Sequence, residues 1–382
     1  MERGARAMLA AMRIGRAWWG VVVILAGAAL AEPPAKEKKK PPYLSPGEMV
    51  KRIEASPVQY KLAPLEELDV ARGKLADELW PRRVPPIHLP KVERAADGTV
   101  TVTAWPEPPE AKPALAKAEA AFQQKDYAGA AAGYREALDV DASQYLVHAY
   151  LGDALFFGGD AKAALAEYDQ AIALNPDDYR LYFFRASAHR ELDHRPAMVD
   201  DLRTALTLNP RYDTLVKVLD GLSHGSLRIE PAVLVPRAFV RMEGDAVAIY
   251  NEPEHPAWFA WSICKGLWLG EKDHRREMLG TEKYVWSTTE ELECLAAMLS
   301  ARERAKSEGT LDDPRLDQLA AIVNDGLAVG LVLYELGSRV DPQVVLRVDA
   351  ETRALVKKYV EKYVLVDLDV PAKPKKTPRP KK

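Results

Sequence analysis

Between residues 111 and 212 the alternation of apolar and polar positions repeats three times at an unbroken period of 34 residues. Residues 111–144, 145–178 and 179–212 superimpose without a gap. Small residues recur at the eighth place (Ala118, Gly152, Ala186) and at the twenty-seventh (Ala137, Ala171, Ala205). Large apolar residues recur at the twenty-fourth (Tyr134, Tyr168, Leu202), followed at the twenty-eighth by Leu138, Ile172 and Leu206. Within each unit the apolar residues lie three and four apart, which predicts two amphipathic helices of about a dozen residues. In the second unit these are Tyr145–Phe157 and Ala161–Ala173, joined by Gly158-Gly159-Asp160.

The turn chemistry agrees with that division. Glycine suits the end of the first helix, and Asp160 can accept the free amides that open the second. The equivalent turns read Gln124-Lys125-Asp126 and Leu192-Asp193-His194. Pro176 and Pro210 stop the second helix of their units, because proline has no amide proton and clashes with the preceding turn. Small residues let two backbones approach where helices cross, and Tyr134 and Tyr168 fill the wider gaps. A single hairpin cannot bury its apolar face, so the three must stack.

This array resembles the tetratricopeptide repeat family, with two departures. The first unit ends on Ala142 where the others carry proline, and the third has Met198 where Ala130 and Ala164 sit in the others. The resemblance implies that the first helix of each unit lines a concave groove that holds another polypeptide. Carried onto this chain, the groove presents Leu115, Glu119 and Phe122 from the first unit. It continues with Leu146, Asp153, Phe156 and Phe157 from the second, and Arg180, Phe183 and Arg190 from the third. Some relatives grip a chaperone's C-terminal carboxylate with lysine and asparagine; Leu115 and Glu119 stand in those places here, which disfavours that ligand. The expected ligand is an apolar or amphipathic helix with an acidic flank. Flanking helices of the same chain, Leu65–Trp80 and Pro256–Leu269, are alternative occupants.

Outside the array the pattern predicts a small N-terminal α+β segment over 45–106, with two helices and a β-hairpin. Ser45-Pro46-Gly47-Glu48 has the form of a capping box opening a helix to about Ala55. Leu65, Leu68, Leu75 and Leu79 mark the second helix, ended by Pro81. Thr99–Thr103 alternates like a strand behind the Asp97-Gly98 turn. After a capping helix from Asp213 to Leu222, the period vanishes, and 225–370 reads as a mostly helical α+β domain. Strands are expected at Ala232–Val235, Ala238–Met242 and Ala246–Tyr250. Helices are expected over Pro256–Leu269, from Ser287 to Lys306, from Asp313 to Gly337, and over Ala350–Val364. The fold class is thus mainly α, a helical-hairpin solenoid with mixed flanks.

Composition changes this picture at the ends. The net charge is −3 over 382 residues. Residues 1–31 carry +3, 32–40 carry +2 and 371–382 carry +6, so that −14 remains for 41–370. An acidic body disfavours nucleic acid as a partner. Arg3, Arg6, Arg13 and Arg16 precede the uncharged run Ala17–Leu30, and Ala29-Leu30-Ala31 offers a signal-peptidase site before Glu32. Fourteen helical residues rise only about 21 Å against a hydrocarbon core of roughly 30 Å. Cleavage is therefore expected, giving an exported protein, periplasmic or extracellular, with no integral membrane segment. A lysine- and proline-rich linker over 32–44 follows. The basic tail 371–382, predicted to be disordered, could contact anionic surfaces.

Candidate chemistry is sparse. Ser262-Ile263-Cys264-Lys265 matches the Ser-x-x-Lys of penicillin-interacting enzymes, which gives a cell-wall-acting enzyme as the alternative reading. Neither Ser-Asp-Asn nor Lys-Thr-Gly occurs downstream. The competing expectation is a helix whose tryptophans pack while Lys265 is solvated. His255, Cys264, His274 and Cys294 have no standard zinc spacing, so neither metal nor cofactor is expected. Cys264 and Cys294 are the only cysteines; a disulfide between their helices and two buried thiols both remain open. Glu290, Glu291 and Glu293 read as the acidic first turn of a helix. The protein is therefore expected to be a non-catalytic scaffold for protein–protein contact.

Overall fold

The computed structural model describes residues 43–87, 89–106, 112–230, 232, 234–309 and 313–368. The leader, the lysine-rich linker and the basic tail lie outside these residues. Six helices form the three hairpins: α3 (Lys112–Gln123) with α4 (Tyr127–Val140), α5 (Tyr145–Phe157) with α6 (Ala161–Leu174), and α7 (Tyr179–Glu191) with α8 (Arg195–Leu208). Each hairpin stacks on the next, and α9 (Asp213–Ser223) follows the last. The number α1 belongs to Pro46–Glu54 and α2 to Leu75–Leu79.

The repeated small residues sit at the crossings. Ala118, Ala137, Ala171, Ala186 and Ala205 have no exposed surface. A β-carbon added at Gly152 would lie 2.6 Å from the Tyr168 ring, so glycine is what lets α5 and α6 approach. Asp126 and Asp160 cap α4 and α6 by accepting from the amides of Gly129 and Ala163. The fifteenth residue of every unit is left-handed: Lys125 at φ 64°, Gly159 at φ 92° and Asp193 at φ 56°. Only the middle repeat supplies the residue that adopts this conformation freely.

The N-terminal segment does not stand apart from the C-terminal one. Strand β1 (Gln59–Pro64) pairs in parallel with β6 (Ala246–Asn251), which pairs antiparallel with β5 (Ala238–Glu243). The sheet order is β1-β6-β5. Helix α10 (Pro256–Gly270) packs on one face, where Gly266 lies over Val247 and Ile249. Leu65, Leu68 and Leu75 cover the other face, against Phe239, Ala248 and Tyr250. The expected helix over Leu65–Trp80 is corrected accordingly. It is two 3-10 turns (Leu65–Glu67, Arg72–Lys74) followed by the five-residue α2. Its leucines follow a sheet surface, and a straight helix could not lay all of them on it.

The hairpin of β2 (Pro90–Arg94) and β3 (Val100–Ala104) forms as expected. Two further expectations fail. The strand near Ala232–Val235 is instead β4 (Leu227–Ile229), paired with β7 (Leu365–Asp367). The long helix from Asp313 divides at Gly326 (φ 73°) into α13 (Arg315–Asn324) and α14 (Ala328–Leu331), the latter continued by a π-helical stretch Val332–Gly337. Between them and α10 run α11 (Lys272–Leu279) and α12 (Thr288–Ser307); α15 (Ala350–Tyr359) follows.

One hydrophobic core runs from Tyr168 in the second repeat, through the third repeat and α9, into the sheet and the C-terminal helices. The first repeat has its own cluster, closed by Val147, Leu151 and Ala154 of α5. Ion pairs reinforce the attachment of the later repeats: Arg353–Asp177 at 2.7 Å, Lys357–Asp200 at 2.8 Å and Arg195–Asp367 at 2.7 Å. Lys125→Gly should relieve the left-handed strain and raise stability by up to about 1 kcal/mol in urea unfolding. Gly152→Ala should cost about 1–3 kcal/mol by overpacking against Tyr168.

Candidate functional site: a repeat groove and a buried charge cluster

The groove residues divide into three groups. Phe122, Tyr127, Phe156 and Phe157 form a continuous aromatic cluster at the turn edge of the first two repeats. Phe157 stacks on Tyr127 at 5.7 Å and meets Phe122 edge-on at 5.8 Å, and Phe156 meets Phe157 at 5.4 Å. Phe122 is buried, whereas Leu115, Phe156 and Phe157 are half-buried and Glu119 is exposed. Phe157 is thus part of the packing between the first two hairpins, and Phe156 packs on the main core while keeping part of its ring exposed.

A second group is already occupied by the chain itself. Leu146, Leu89 and Trp105 all pack on the cluster of Tyr145, Ala149, Ala171 and Leu181, and Trp105 meets Tyr145 at 4.6 Å. The occupant is the segment around the β2–β3 hairpin, neither of the two helices expected. Trp80 packs on Trp261 at 6.0 Å, and α10 lies on the sheet and on α12. Phe183 is 3% exposed and packs with Tyr212.

The third group is the charges, and here the acidic-flank expectation is corrected. Arg180 makes a two-pronged pair with Asp178, and Arg190 bonds to Glu191 at 2.6 Å. Neither guanidinium offers the groove a net positive charge. Asp153 is fully buried, with Oδ1 accepting from the Tyr168 hydroxyl at 2.7 Å and no hydrogen-bond partner for Oδ2. Burial raises its pKa from the usual 3.8 to about 7. The groove that remains is apolar to acidic.

The catalytic-looking fragment lies elsewhere, on α10. Ser262 is fully buried and donates to the Phe259 carbonyl at 2.8 Å. Lys265 is not solvated as expected. It is 6% exposed and forms ion pairs with Glu290 and with Glu291, the latter at 2.9 Å. Burial alone would lower the pKa of this ammonium, but the two carboxylates outweigh it and raise the pKa. A lysine held protonated cannot take a proton from serine, so this pair lacks the arrangement that Ser-x-x-Lys chemistry requires.

The acidic first turn of α12 is a hub rather than a solvated cap. Ser287 caps the helix by accepting from the Glu290 amide. The side chains of Glu290, Glu291 and Glu293 turn inward, each at most 1% exposed. Glu291 accepts from the indoles of Trp80 and Trp286 at 2.9 and 2.8 Å. Glu293 accepts from Trp268 at 2.7 Å and from the Leu44 amide at 2.9 Å, and contacts His274 at 2.9 Å. Arg52 faces the other ring nitrogen of His274 at 3.0 Å; since arginine only donates, that nitrogen accepts and Nε2 carries the proton to Glu293. Cys264 and Cys294 form a disulfide beside this cluster, with Cα atoms 5.3 Å apart. A cavity of about 20 Å³ next to it, lined by Trp80, Trp258, Trp261 and Glu291, has room for no more than a water or two. The arrangement ties α1, Trp80, α10 and α12 together.

One set of atoms has the proximity of metal ligands. Glu252, Glu254 and His255 place a donor each within 4.8 Å of one another. Glu252 is already paired with Arg72 and Arg237, and that positive charge opposes a cation. Sequence reasoning missed the inward turn of the glutamates; four tryptophans on 258–286, each an indole donor in need of a partner, were the available signal.

Two predictions follow from these environments. Lys265→Met should destabilise by about 3–5 kcal/mol, because it strands two buried carboxylates; chemical denaturation at neutral pH measures this. Burial likewise lifts Glu335 to about 7, so the native state holds protons on Asp153 and Glu335 that the unfolded chain has lost. Their contribution to stability is full below about pH 4 and is lost as pH rises to 7. Asp153→Asn should lessen that decline and gain on the parent protein between pH 4 and 8, measured by urea midpoints at each pH.

The comparisons with known proteins agree with the array. Residues 149–178 match the tetratricopeptide repeat family model. No curated protein matches the chain. Similar solved structures include the first such domain of Spaghetti (RPAP3) bound to an HSP90 peptide, at 23% identity and a TM-score of 0.29, covering 30% of this chain and 90% of that one. The Arabidopsis OM64 domain is 21% identical with a TM-score of 0.29, over 30% of this chain and 95% of its own. MamA is 15% identical with a TM-score of 0.27, over 66% of this chain and 94% of its own. Tetratricopeptide repeat domains are protein–protein interaction scaffolds. The helices from Lys112 to Leu208 thus form an array of tetratricopeptide type, with the family match falling on residues 149–178 of its second unit.

Proposed function

We propose that the protein is an exported, non-catalytic scaffold whose first two repeats capture an apolar or amphipathic polypeptide segment in the cell envelope. The observation that carries this reading is the half-buried row of Leu115, Phe156 and Phe157. Leu115 and Phe157 pack on the first-repeat cluster and Phe156 on the main core, each keeping part of its apolar surface exposed. Because Arg180 and Arg190 are neutralised within the chain, the captured segment has a neutral or basic flank, in place of the acidic one expected from sequence.

Export is supported by the Arg-rich leader and small-residue cleavage site of residues 1–31. The buried disulfide suits an oxidising compartment. Among the described residues no helix is long and apolar enough to cross a membrane.

Phe156→Asp should reduce partner capture from an envelope fraction at least ~10-fold, the scale of one lost apolar anchor. Stability in urea should fall by no more than about 1–3 kcal/mol, since the ring packs on the main core but is only half-buried. Unfolding of the variant would instead place Phe156 in the core and sink the reading. The exported scaffold itself should begin at Glu32 by N-terminal sequencing; an intact leader would contradict cleavage.

A further inference from the structure

We propose that the basic, proline-rich segment 371–382 docks on the aromatic cluster of the first two repeats and competes there with an outside partner. The inference rests on the reading of that surface as an interaction site. Three observations support it.

The first is where the segment is rooted. Asp367 pairs with Arg195 at 2.7 Å, and the Leu368 amide bonds to the Ser226 carbonyl at 2.8 Å. Arg195 opens the second helix of its repeat, the place that Tyr127 holds in the first repeat. The chain therefore leaves the described structure on the same edge of the array as Phe122, Tyr127, Phe156 and Phe157. Phe157 is one repeat away, on the order of 20 Å at 8–10 Å per helix neighbour. Twelve residues in polyproline II conformation span about 37 Å, so the reach is sufficient.

The second is charge. Segment 371–382 carries +6, with no acidic residue. The turn edge exposes Glu119, Asp126, Asp160, Glu191 and Asp193, against Lys125 and Lys162. Glu191 is held by Arg190, while Asp126 and Asp160 accept from backbone amides as helix caps.

The third is shape. Pro371, Pro374, Pro378 and Pro380 bias the segment toward polyproline II, the conformation that docks into aromatic-lined grooves with little entropy to lose. Aromatic rings with acidic neighbours are the surface such a basic segment fits.

The test uses the intact chain with Phe156→p-benzoylphenylalanine, irradiated and mapped by mass spectrometry. Crosslinks to 371–382 within one chain are expected. Yield should fall at least ~10-fold on Lys375→Glu, Lys376→Glu and Arg379→Glu together, and similarly in high salt, where the Debye length shrinks to about 3 Å. Crosslinks elsewhere in the chain, or none, overturn the proposal. In a mixture of isotopically heavy and light chains, heavy–light crosslinks to 371–382 would make a second copy the occupant and also overturn it. The two readings fail differently. If only the tail proposal is wrong, an outside envelope protein crosslinks from position 156 equally well with and without the charge reversals. If the groove reading is wrong, nothing outside the chain crosslinks from that position at all.

Discussion

The close crossing of helices at alanine and glycine is the constraint on which the rest depends. Where Gly152 meets Tyr168, and where Ala118, Ala171 and Ala205 sit at zero exposure, the hairpins are near enough to share a core. Apolar burial at about 25 cal/mol per Å² then accumulates along the stack. Without those small residues the hairpins could not nest, and the aromatic cluster at their turn edge would not be assembled from three helices.

The stack is anchored asymmetrically. Its third repeat merges with the C-terminal core and is tied there by Arg195 and Lys357, while Arg353 holds Asp177 at the end of the second. The C-terminal part is itself locked by the Lys265–glutamate hub and the Cys264–Cys294 bridge. The first repeat keeps a separate cluster, closed by α5. A rigid base with a less supported outer repeat is a physical reason for binding to concentrate at the outer end, where local opening costs least.

Legibility in the sequence tracked the range of the interaction. The repeats could be read because each 34-residue unit meets its neighbour, so that residue type, spacing and turn all point the same way. The parallel pairing of Gln59–Pro64 with Ala246–Asn251 could not be read, since its partner lies about 190 residues downstream. The leucines of 65–79 mimic helical spacing although they cover a sheet. The helix expected from Ser287 does start there, with Ser287 accepting from the Glu290 amide, but the Glu290 side chain is drawn inward to Lys265. A buried Lys265 on a neighbouring helix is the stronger attraction. Of the residues expected in the groove, spacing put Phe122, Phe156 and Phe157 at the ends of first helices, where their rings meet. One local feature escaped the sequence reading: Asp178 and Glu191 neutralise the arginines, although side chains one and two apart do not ordinarily face each other on a helix.

Hydrogen–deuterium exchange on the intact protein, alone and saturated with a captured partner, tests the central claim most directly. Slower exchange confined to 115–127 and 150–160 is the result predicted by an outer-repeat binding surface. Slowed exchange restricted to 225–368, with the repeats unchanged, would contradict it.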